Sequence, residues 1–129
     1  MAEKEIVRTD RAPAPFQGAP YNQAVRVGDL VFVAGQLGLR PGEKEMVGET
    51  IAEQTEQVMA NLRAILEEAG SGLDRLVKTT VFLQDLSDFA GMNEVYASHV
   101  GDKPPARSTV EVARLPSGAL VEIEAIAHL

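Results

Sequence analysis

The residues best suited to chemistry lie near the C-terminus, in the segment PPARSTVEVARLPSGALVEIEAIA. Arg107 begins one alternating stretch, and Glu122 and Glu124 share one face of the next, VEIEAIA. In a chain of net charge −7 a small anionic substrate would need a local cation, so an arginine in such a segment is a candidate to bind one. The two carboxylates near it raise the question of a shared role. The plainer alternative for the two glutamates is a solvated strand face.

Simple hairpin geometry argues against direct contact between these charged groups. A turn centred near Ser117 would set residue 112 opposite residue 122 and leave Arg107 about five residues, roughly 17 Å, away. Arg107 and Glu122 can therefore meet only if their strands are not neighbours, or if subunits meet there.

Charge and composition narrow the classes of ligand. The 129 residues include 12 Lys+Arg and 19 Asp+Glu, a net charge of −7, which disfavours binding to nucleic acid or anionic membranes. There is no cysteine, so disulfides, thiolate nucleophiles and Cys-ligated metals are excluded. The two histidines, His99 and His128, form no His-x-x-x-His pair. A metal site would need mainly carboxylates, and none is predicted.

Length and hydropathy predict a single domain, residues 1–129, in the cytoplasm. The N-terminal stretch MAEKEIVRTDRAPAP lacks the apolar region of a signal peptide. No apolar run approaches the ~20 residues of a membrane span.

Five strands are predicted from alternation and β-branched content. QAVRV and LVFVAG flank Gly28-Asp29, as in a two-residue hairpin. LVFVAG is apolar throughout and is expected to be buried on both faces. LVKTTVFL is the third strand, and the C-terminal segment supplies two more around a Pro-Ser-Gly turn.

Two helices separate these strands. Thr50 and Glu53 form a capping box at the start of the first, and Gly70 ends it. Ser87 is expected to cap the second, which stops before Gly101. The order β-β, α, β, α, β-β predicts an α+β fold, a mixed sheet with both helices packed on one face.

Three further residues, Asn93, Tyr21 and Gly35, have both a structural and a functional interpretation, and His99 has a structural one. Asn93 lies in the apolar stripe of the second helix, where a buried amide must be hydrogen-bonded, and it is either structural or borders a cleft. Tyr21, after the loop RAPAPFQGAP, is an anchor or a pocket wall. Gly35 permits either a positive-φ turn or close approach of a ligand. His99 is expected to be an ordinary helix-end histidine.

Four stretches together resemble the RidA family of reactive-intermediate deaminases, also called the YjgF family and sometimes labelled L-PSP endoribonucleases. They are PYNQAV, VAGQLGL, VKTTVFLQDLSDFAGMNEVYASHV and PARSTVEVARLPSGALVEIEAIA, in the family's order and over almost the whole chain. The resemblance implies a chorismate-mutase-like fold and a homotrimer with clefts between subunits. It also implies that the last two strands are not adjacent.

The same resemblance implies a role for each matching residue. Arg107 matches the family's carboxylate-binding arginine, and Glu122 matches the glutamate that orients or activates water. Asn93 and Tyr21 match other cleft residues, the tyrosine entering from a neighbouring subunit. The family's substrates are 2-imino acids and their enamine tautomers, released by pyridoxal-phosphate enzymes and hydrolysed without metal or cofactor.

Two positions depart from the commonest family pattern and bear on substrate preference. Ala34, before the cleft residue Gly35, stands where many members have serine, and Thr109 stands where many have cysteine. The implied activity is that of a 2-iminobutanoate/2-iminopropanoate deaminase. A carboxylate-binding or chaperone-like trimer without turnover stays open. An endoribonuclease is the least supported alternative, given the net charge of −7.

Overall fold

A computed structural model describes residues 3–129, so Met1 and Ala2 of the N-terminal stretch lie outside it. Its framework is one six-stranded sheet and two α-helices. The strands are β1 Glu5–Val7, β2 Ala24–Val27, β3 Leu30–Gln36, β4 Leu76–Leu83, β5 Ala106–Glu111 and β6 Val121–His128. The helices are α1 Ile51–Glu68 and α2 Phe89–Val100.

The sheet is mixed, as predicted, with the strand order β1-β2-β3-β6-β4-β5. β4 lies between the two C-terminal strands, parallel to β5 and antiparallel to β6. The turn after β5 therefore links strands that are not hydrogen-bonded to each other. β1 was not predicted, because a strand of three residues is too short to give a pattern.

The core lies between the helices and one face of the sheet. Alternate residues of β6 face the helices and are buried, namely Val121, Ile123, Ala125 and Ala127. They belong to one cluster with Val58 and Leu62 of α1 and Met92 of α2. Both helices therefore cover the same face, as the order of elements predicts.

The prediction that β3 is buried on both faces is wrong. Val31 and Val33 are buried, whereas Leu30 and Phe32 are 41% and 42% exposed. Because the helices cover only one face of the sheet, the other face of β3 has no layer above it in residues 3–129.

The predicted ends of the first helix and the predicted turn of the first hairpin are confirmed. The Thr50 side chain accepts a hydrogen bond from the backbone N–H of Glu53, whose carboxylate accepts one from the Thr50 N–H. Gly70 follows α1 with a φ of +90°. Gly28, with a φ of +58°, makes the tight turn that sets Val27 opposite Leu30.

The predicted cap of the second helix is wrong. A short 3₁₀ turn, Leu86–Asp88, precedes α2, which begins at Phe89. The Asp85 carboxylate accepts a 2.8 Å hydrogen bond from the Ser87 N–H, so the aspartate caps the turn in place of the serine. Gly101 ends the helix with a φ of +71°, as expected.

Candidate functional site

A cavity of about 380 Å³ opens beside β3, β6 and the loop before β2. Its lining includes Phe16, Tyr21, Ala34, Gly35, Pro116 and Glu122. Among the described residues that line it, Glu122 is the one with a charged side chain, and most of the others are apolar. The cavity thus brings three predicted site residues, Tyr21, Ala34 and Gly35, together with a fourth, Glu122.

The carboxyl group of Glu122 lies directly against Gly35. A Cβ at residue 35 would be 2.8 Å from the Cδ of Glu122, too close for any real side chain. Gly35 does not have a positive φ. The glycine is therefore needed for close approach rather than for a turn, and the approaching group is the Glu122 side chain.

Burial raises the pKa of the Glu122 carboxyl above its ordinary value, and the negative charge of Glu124 raises it further. Glu124 itself is exposed, so a solvated strand face describes that glutamate only. A half-buried carboxylate with a raised pKa is a stronger proton acceptor than an exposed one.

Tyr21 is both an anchor and a wall of the cavity. Its hydroxyl oxygen accepts a hydrogen bond of 2.5 Å from the backbone N–H of Phe16, which closes the proline-rich loop. The ring remains 41% exposed and borders the cavity. The two alternatives for this residue are therefore compatible.

Two turns of the same type border the cavity. Gln17 has φ 54° and ψ 29°, Ser117 has φ 53° and ψ 31°, and each precedes a glycine with a positive φ. These are the angles of a type I′ turn. Gln17 and Ser117 are the non-glycine residues with a positive φ in residues 3–129. Backbone strain of this kind is common at functional sites.

Three buried amide side chains hold the cavity walls in place. The Gln23 side chain accepts a 2.7 Å hydrogen bond from the Thr9 N–H and donates to the backbone carbonyls of Thr9 and Pro13. Asn61 donates to two backbone carbonyls after β3, at 3.1 and 2.9 Å. Gln54 accepts from the Leu120 N–H at 2.8 Å. The sequence analysis missed all three, although Gln54 and Asn61 interrupt the apolar stripe of α1.

Arg107 and two other predicted residues, Asn93 and Thr109, lie outside this cavity. Arg107 is in register with Thr79 of β4, whose side chain is fully buried on the helix side of the sheet. The Cζ atom of Arg107 lies 4.8 Å from the ring centroid of Tyr96 in α2. The arginine therefore belongs to the helix-facing side of the sheet.

Two of the predicted site residues on that side, Arg107 and Asn93, carry a polar group without a matching partner within residues 3–129. No carboxylate there forms an ion pair with Arg107. The Oδ1 atom of Asn93 is buried without a hydrogen-bond donor, contrary to the expectation of a satisfied amide. A bound anion can satisfy the guanidinium, and an N–H or O–H donor from a ligand or a second subunit can satisfy the amide oxygen.

Burial raises the pKa of the Tyr96 hydroxyl, while a hydrogen bond to Thr79 and the charge of Arg107 act in the opposite direction. The hydroxyl oxygens of Tyr96 and Thr79 are 2.6 Å apart. The tyrosine is therefore a neutral hydrogen-bonding group next to the guanidinium.

Arg107 and Glu122 lie on opposite faces of the sheet. Their register partners on β4 are Thr79 and Phe82 respectively, three residues apart, and side chains alternate along a strand. One chain therefore does not bring the arginine and the glutamate together. The predicted residues fall into two groups, which are Tyr21, Ala34, Gly35 and Glu122 at the cavity, and Asn93, Arg107 and Thr109 away from it.

His99 connects the two helices. Its Nε2 atom lies 2.7 Å from a Glu56 oxygen and its Nδ1 atom 3.3 Å from a nitrogen of Arg63. Because a guanidinium only donates, Nδ1 accepts and Nε2 carries the hydrogen. The residue is a helix-end histidine, as expected.

Residues 3–129 contain no cluster of three His, Cys, Asp or Glu side chains arranged to bind a metal ion. Over the same range, neither helix combines the length and the hydropathy that crossing a bilayer requires.

The chain is similar over almost its full length to proteins of one family. The sequence model for the family described as Endoribonuclease L-PSP matches residues 9–129. A RutC family protein of Pyrococcus abyssi is 52% identical over 125 residues, which cover 97% of each chain. Reactive Intermediate Deaminase A, chloroplastic, of Arabidopsis thaliana is 46% identical over 127 residues, 98% of this chain and 67% of that protein.

Solved structures have the same architecture. RidA from the Antarctic bacterium Psychrobacter sp. PAMC 21119 gives a TM-score of 0.91 at 46% identity, covering 97% of this chain and 99% of that one. TdcF of E. coli, crystallised with bound serine, gives a TM-score of 0.88 at 40% identity, covering 97% and 98%.

Proposed function

This chain belongs to the Endoribonuclease L-PSP family, and from that premise we propose that it is a cofactor-free deaminase of small 2-imino acids. The reaction takes up one water and converts the imine, or its enamine tautomer, to a 2-keto acid and ammonium. The observation that carries the proposal is the half-buried Arg107, a cation with no carboxylate partner in the described chain.

Arg107 binds the substrate carboxylate. Its planar guanidinium can donate two parallel hydrogen bonds to the two carboxylate oxygens, which holds the adjacent C=N carbon in one place. The serine bound to E. coli TdcF also carries an α-carboxylate, and this supports the choice of ligand class. The unsatisfied Oδ1 of Asn93 is suited to accept a hydrogen bond from the imine N–H.

Glu122 serves as the base that activates water. Its carboxylate takes a proton from the water as the oxygen attacks the C=N carbon of the protonated imine, giving a neutral carbinolamine. The same carboxyl group then returns that proton to the amine nitrogen. The C–N bond breaks, and the departing ammonia takes the proton of the carbinol hydroxyl, which leaves a 2-keto acid and ammonium. The raised pKa of Glu122 suits both transfers, because it brings the two protonation states closer in free energy near neutral pH.

The complete site is formed between subunits of a homotrimer, with Arg107 of one chain facing Glu122 of the next. The position of these residues on opposite sheet faces supports this assembly. Exposed Leu30 and Phe32 on the uncovered face also support it, because apolar side chains there gain from burial against another chain.

The test is a competition for 2-iminopropanoate, generated from serine by a dehydratase in the presence of semicarbazide. The unsubstituted protein is expected to divert imine from the semicarbazide trap, whereas Arg107→Ala and Glu122→Gln are not. Arg114→Ala, which removes an exposed arginine of the same segment, is the matched control and should behave like the unsubstituted protein.

A trimer that binds carboxylic acids without turnover makes a different prediction. In that case Arg107→Ala abolishes binding of 2-oxobutanoate, but the unsubstituted protein leaves trapping unchanged. Unchanged trapping over a range of imines would therefore overturn the deaminase assignment and leave only the binding function.

A further inference from the structure

The guanidinium of Arg107 rests on two aromatic rings of α2 that differ in burial. Its Cζ atom is 4.8 Å from the centroid of Tyr96 and 5.5 Å from that of Phe89. Tyr96 is 5% exposed, whereas Phe89 is 40% exposed. The tyrosine ring is therefore the part of this support that the core holds in place.

Thr79 holds the other end of that tyrosine. Its hydroxyl oxygen is 2.6 Å from the Tyr96 hydroxyl, and the threonine is fully buried. Thr79 is also the register partner of Arg107 in the parallel pair β4–β5, so both side chains project from the same face. Tyr96 thus contacts Arg107 with its ring and Thr79 with its hydroxyl.

The arrangement suits a guanidinium that must bind a carboxylate. A guanidinium over the ring face interacts with the π-system, and the N–H groups that are not turned toward the Tyr96 hydroxyl are left for a ligand. If the Tyr96 proton is donated to Thr79, the phenolic oxygen keeps its lone pairs for the nearby positive charge. An arginine on an edge strand otherwise has many rotamers, and each must be lost on binding.

We propose that Tyr96 and Thr79 are positioning residues for Arg107. Thr79 fixes the Tyr96 hydroxyl, and Tyr96 holds the guanidinium in the orientation that meets a substrate carboxylate. The inference rests on the proposed function, which supplies that carboxylate. Neither residue touches the reacting atoms, so both act on substrate binding rather than on the chemical step.

The experiment compares Thr79→Val with Thr55→Val in the full-length protein. Both threonines are fully buried, and the substitution is the same, but the Thr55 hydroxyl has no hydrogen-bond partner in the described chain. We expect Thr79→Val and Tyr96→Phe to raise the Kd for 2-oxobutanoate and the KM for the imine by about threefold to tenfold. The kcat should stay within about twofold, because Glu122 is untouched.

Rescue by a conservative variant separates positioning from general loss of stability. Thr79→Ser keeps the hydroxyl but loses a methyl group, so it is expected to lower Tm while keeping the Kd of the unsubstituted protein. Thr55→Val is expected to change neither Kd nor KM. Equal Kd values for Thr79→Val, Thr79→Ser and Thr55→Val would overturn the proposal.

A measurement without ligand tests the positioning of Arg107 independently of the proposed function. The side-chain Nε–Hε signal of Arg107 in NMR reports how firmly the guanidinium is held. Its heteronuclear NOE should fall in Thr79→Val and Tyr96→Phe but not in Thr79→Ser or Thr55→Val. If 2-oxobutanoate fails to bind the unsubstituted protein, the proposed function loses carboxylate binding. An unchanged NOE in all four variants would separately overturn the proposal that Tyr96 and Thr79 position Arg107.

Discussion

The Glu122 carboxyl group lies against the backbone of Gly35, in a space that any side chain at residue 35 would occupy. The contact joins the two central strands β3 and β6 at the cavity and explains why a carboxylate can be half-buried there. The position of the Glu122 carboxylate, the proposed base, therefore depends on residue 35 of the neighbouring strand being a glycine.

Gly35→Ala is expected to reduce deaminase activity by roughly tenfold to hundredfold, because the new methyl group displaces the Glu122 carboxyl group. Gly72→Ala is the matched control, since a Cβ there also meets a carboxylate, that of exposed Asp74, at 2.7 Å. The kcat of both variants should be measured together with their Tm. Full activity in Gly35→Ala would show that the Glu122 position is not critical.

In an Arg107→Ala background, which removes the guanidinium that faces Glu122 in the proposed trimer, Glu122→Gln is expected to raise stability at pH 8 but not at pH 3. The folded-state pKa of Glu122 is raised, so the folded protein binds more protons than the unfolded chain between the two pKa values. The protein that keeps Glu122 in this background therefore loses stability as the pH rises from about 4 to 5, the ordinary glutamate range, through the raised pKa. Glutamine cannot ionise and escapes this loss.

Thermal unfolding of Glu122→Gln in the Arg107→Ala background across this pH range tests the direction of the Glu122 pKa shift. The exposed Glu124→Gln is the control and should have a much smaller pH-dependent difference in Tm. An increase in Tm for Glu122→Gln that is equally large at pH 3 contradicts the raised pKa. A decrease in Tm at pH 8 contradicts it too.

Asn61→Ala is expected to lower the free energy of unfolding by about 2 to 3 kcal/mol, because it leaves two backbone carbonyls without their donor. Gln57→Ala removes the amide that donates to Asn61 at 2.9 Å from a less buried position, and it should cost less. Denaturant unfolding measures both. Equal losses would indicate that Asn61 does not hold the segment after β3.

Sequence signals succeeded where a few neighbouring residues decide the structure. Thr50 with Glu53, and Gly28 at the hairpin, have the conformations that their chemistry predicts. The Ser87 cap failed because Ser87 lies inside the 3₁₀ turn Leu86–Asp88, which Asp85 caps and which places Asp88 at the start of the helix. The exposure of Phe32 depends on which face the helices cover, and one strand's composition does not contain that information.

The site was only partly predictable for a similar reason. Family resemblance pointed to Arg107 and Glu122, but hairpin geometry alone kept them apart. Their positions on opposite faces follow from β4 lying between β5 and β6, a pairing set by contacts distant in sequence. Gln54 and Asn61 could have been noticed as amides within an apolar helical stripe, although the loops that they hold could not.

The central claim is that Arg107 of one subunit works with Glu122 of another. Arg107→Ala and Glu122→Gln proteins, each inactive alone, should be unfolded together in equal amounts, refolded and assayed with the semicarbazide trap. Random trimers then regain about a quarter of the wild-type number of sites, since each mixed trimer has one intact arginine–glutamate pair. Recovery of activity near that level is the predicted result, and no recovery in a mixture proven to contain mixed trimers would contradict it.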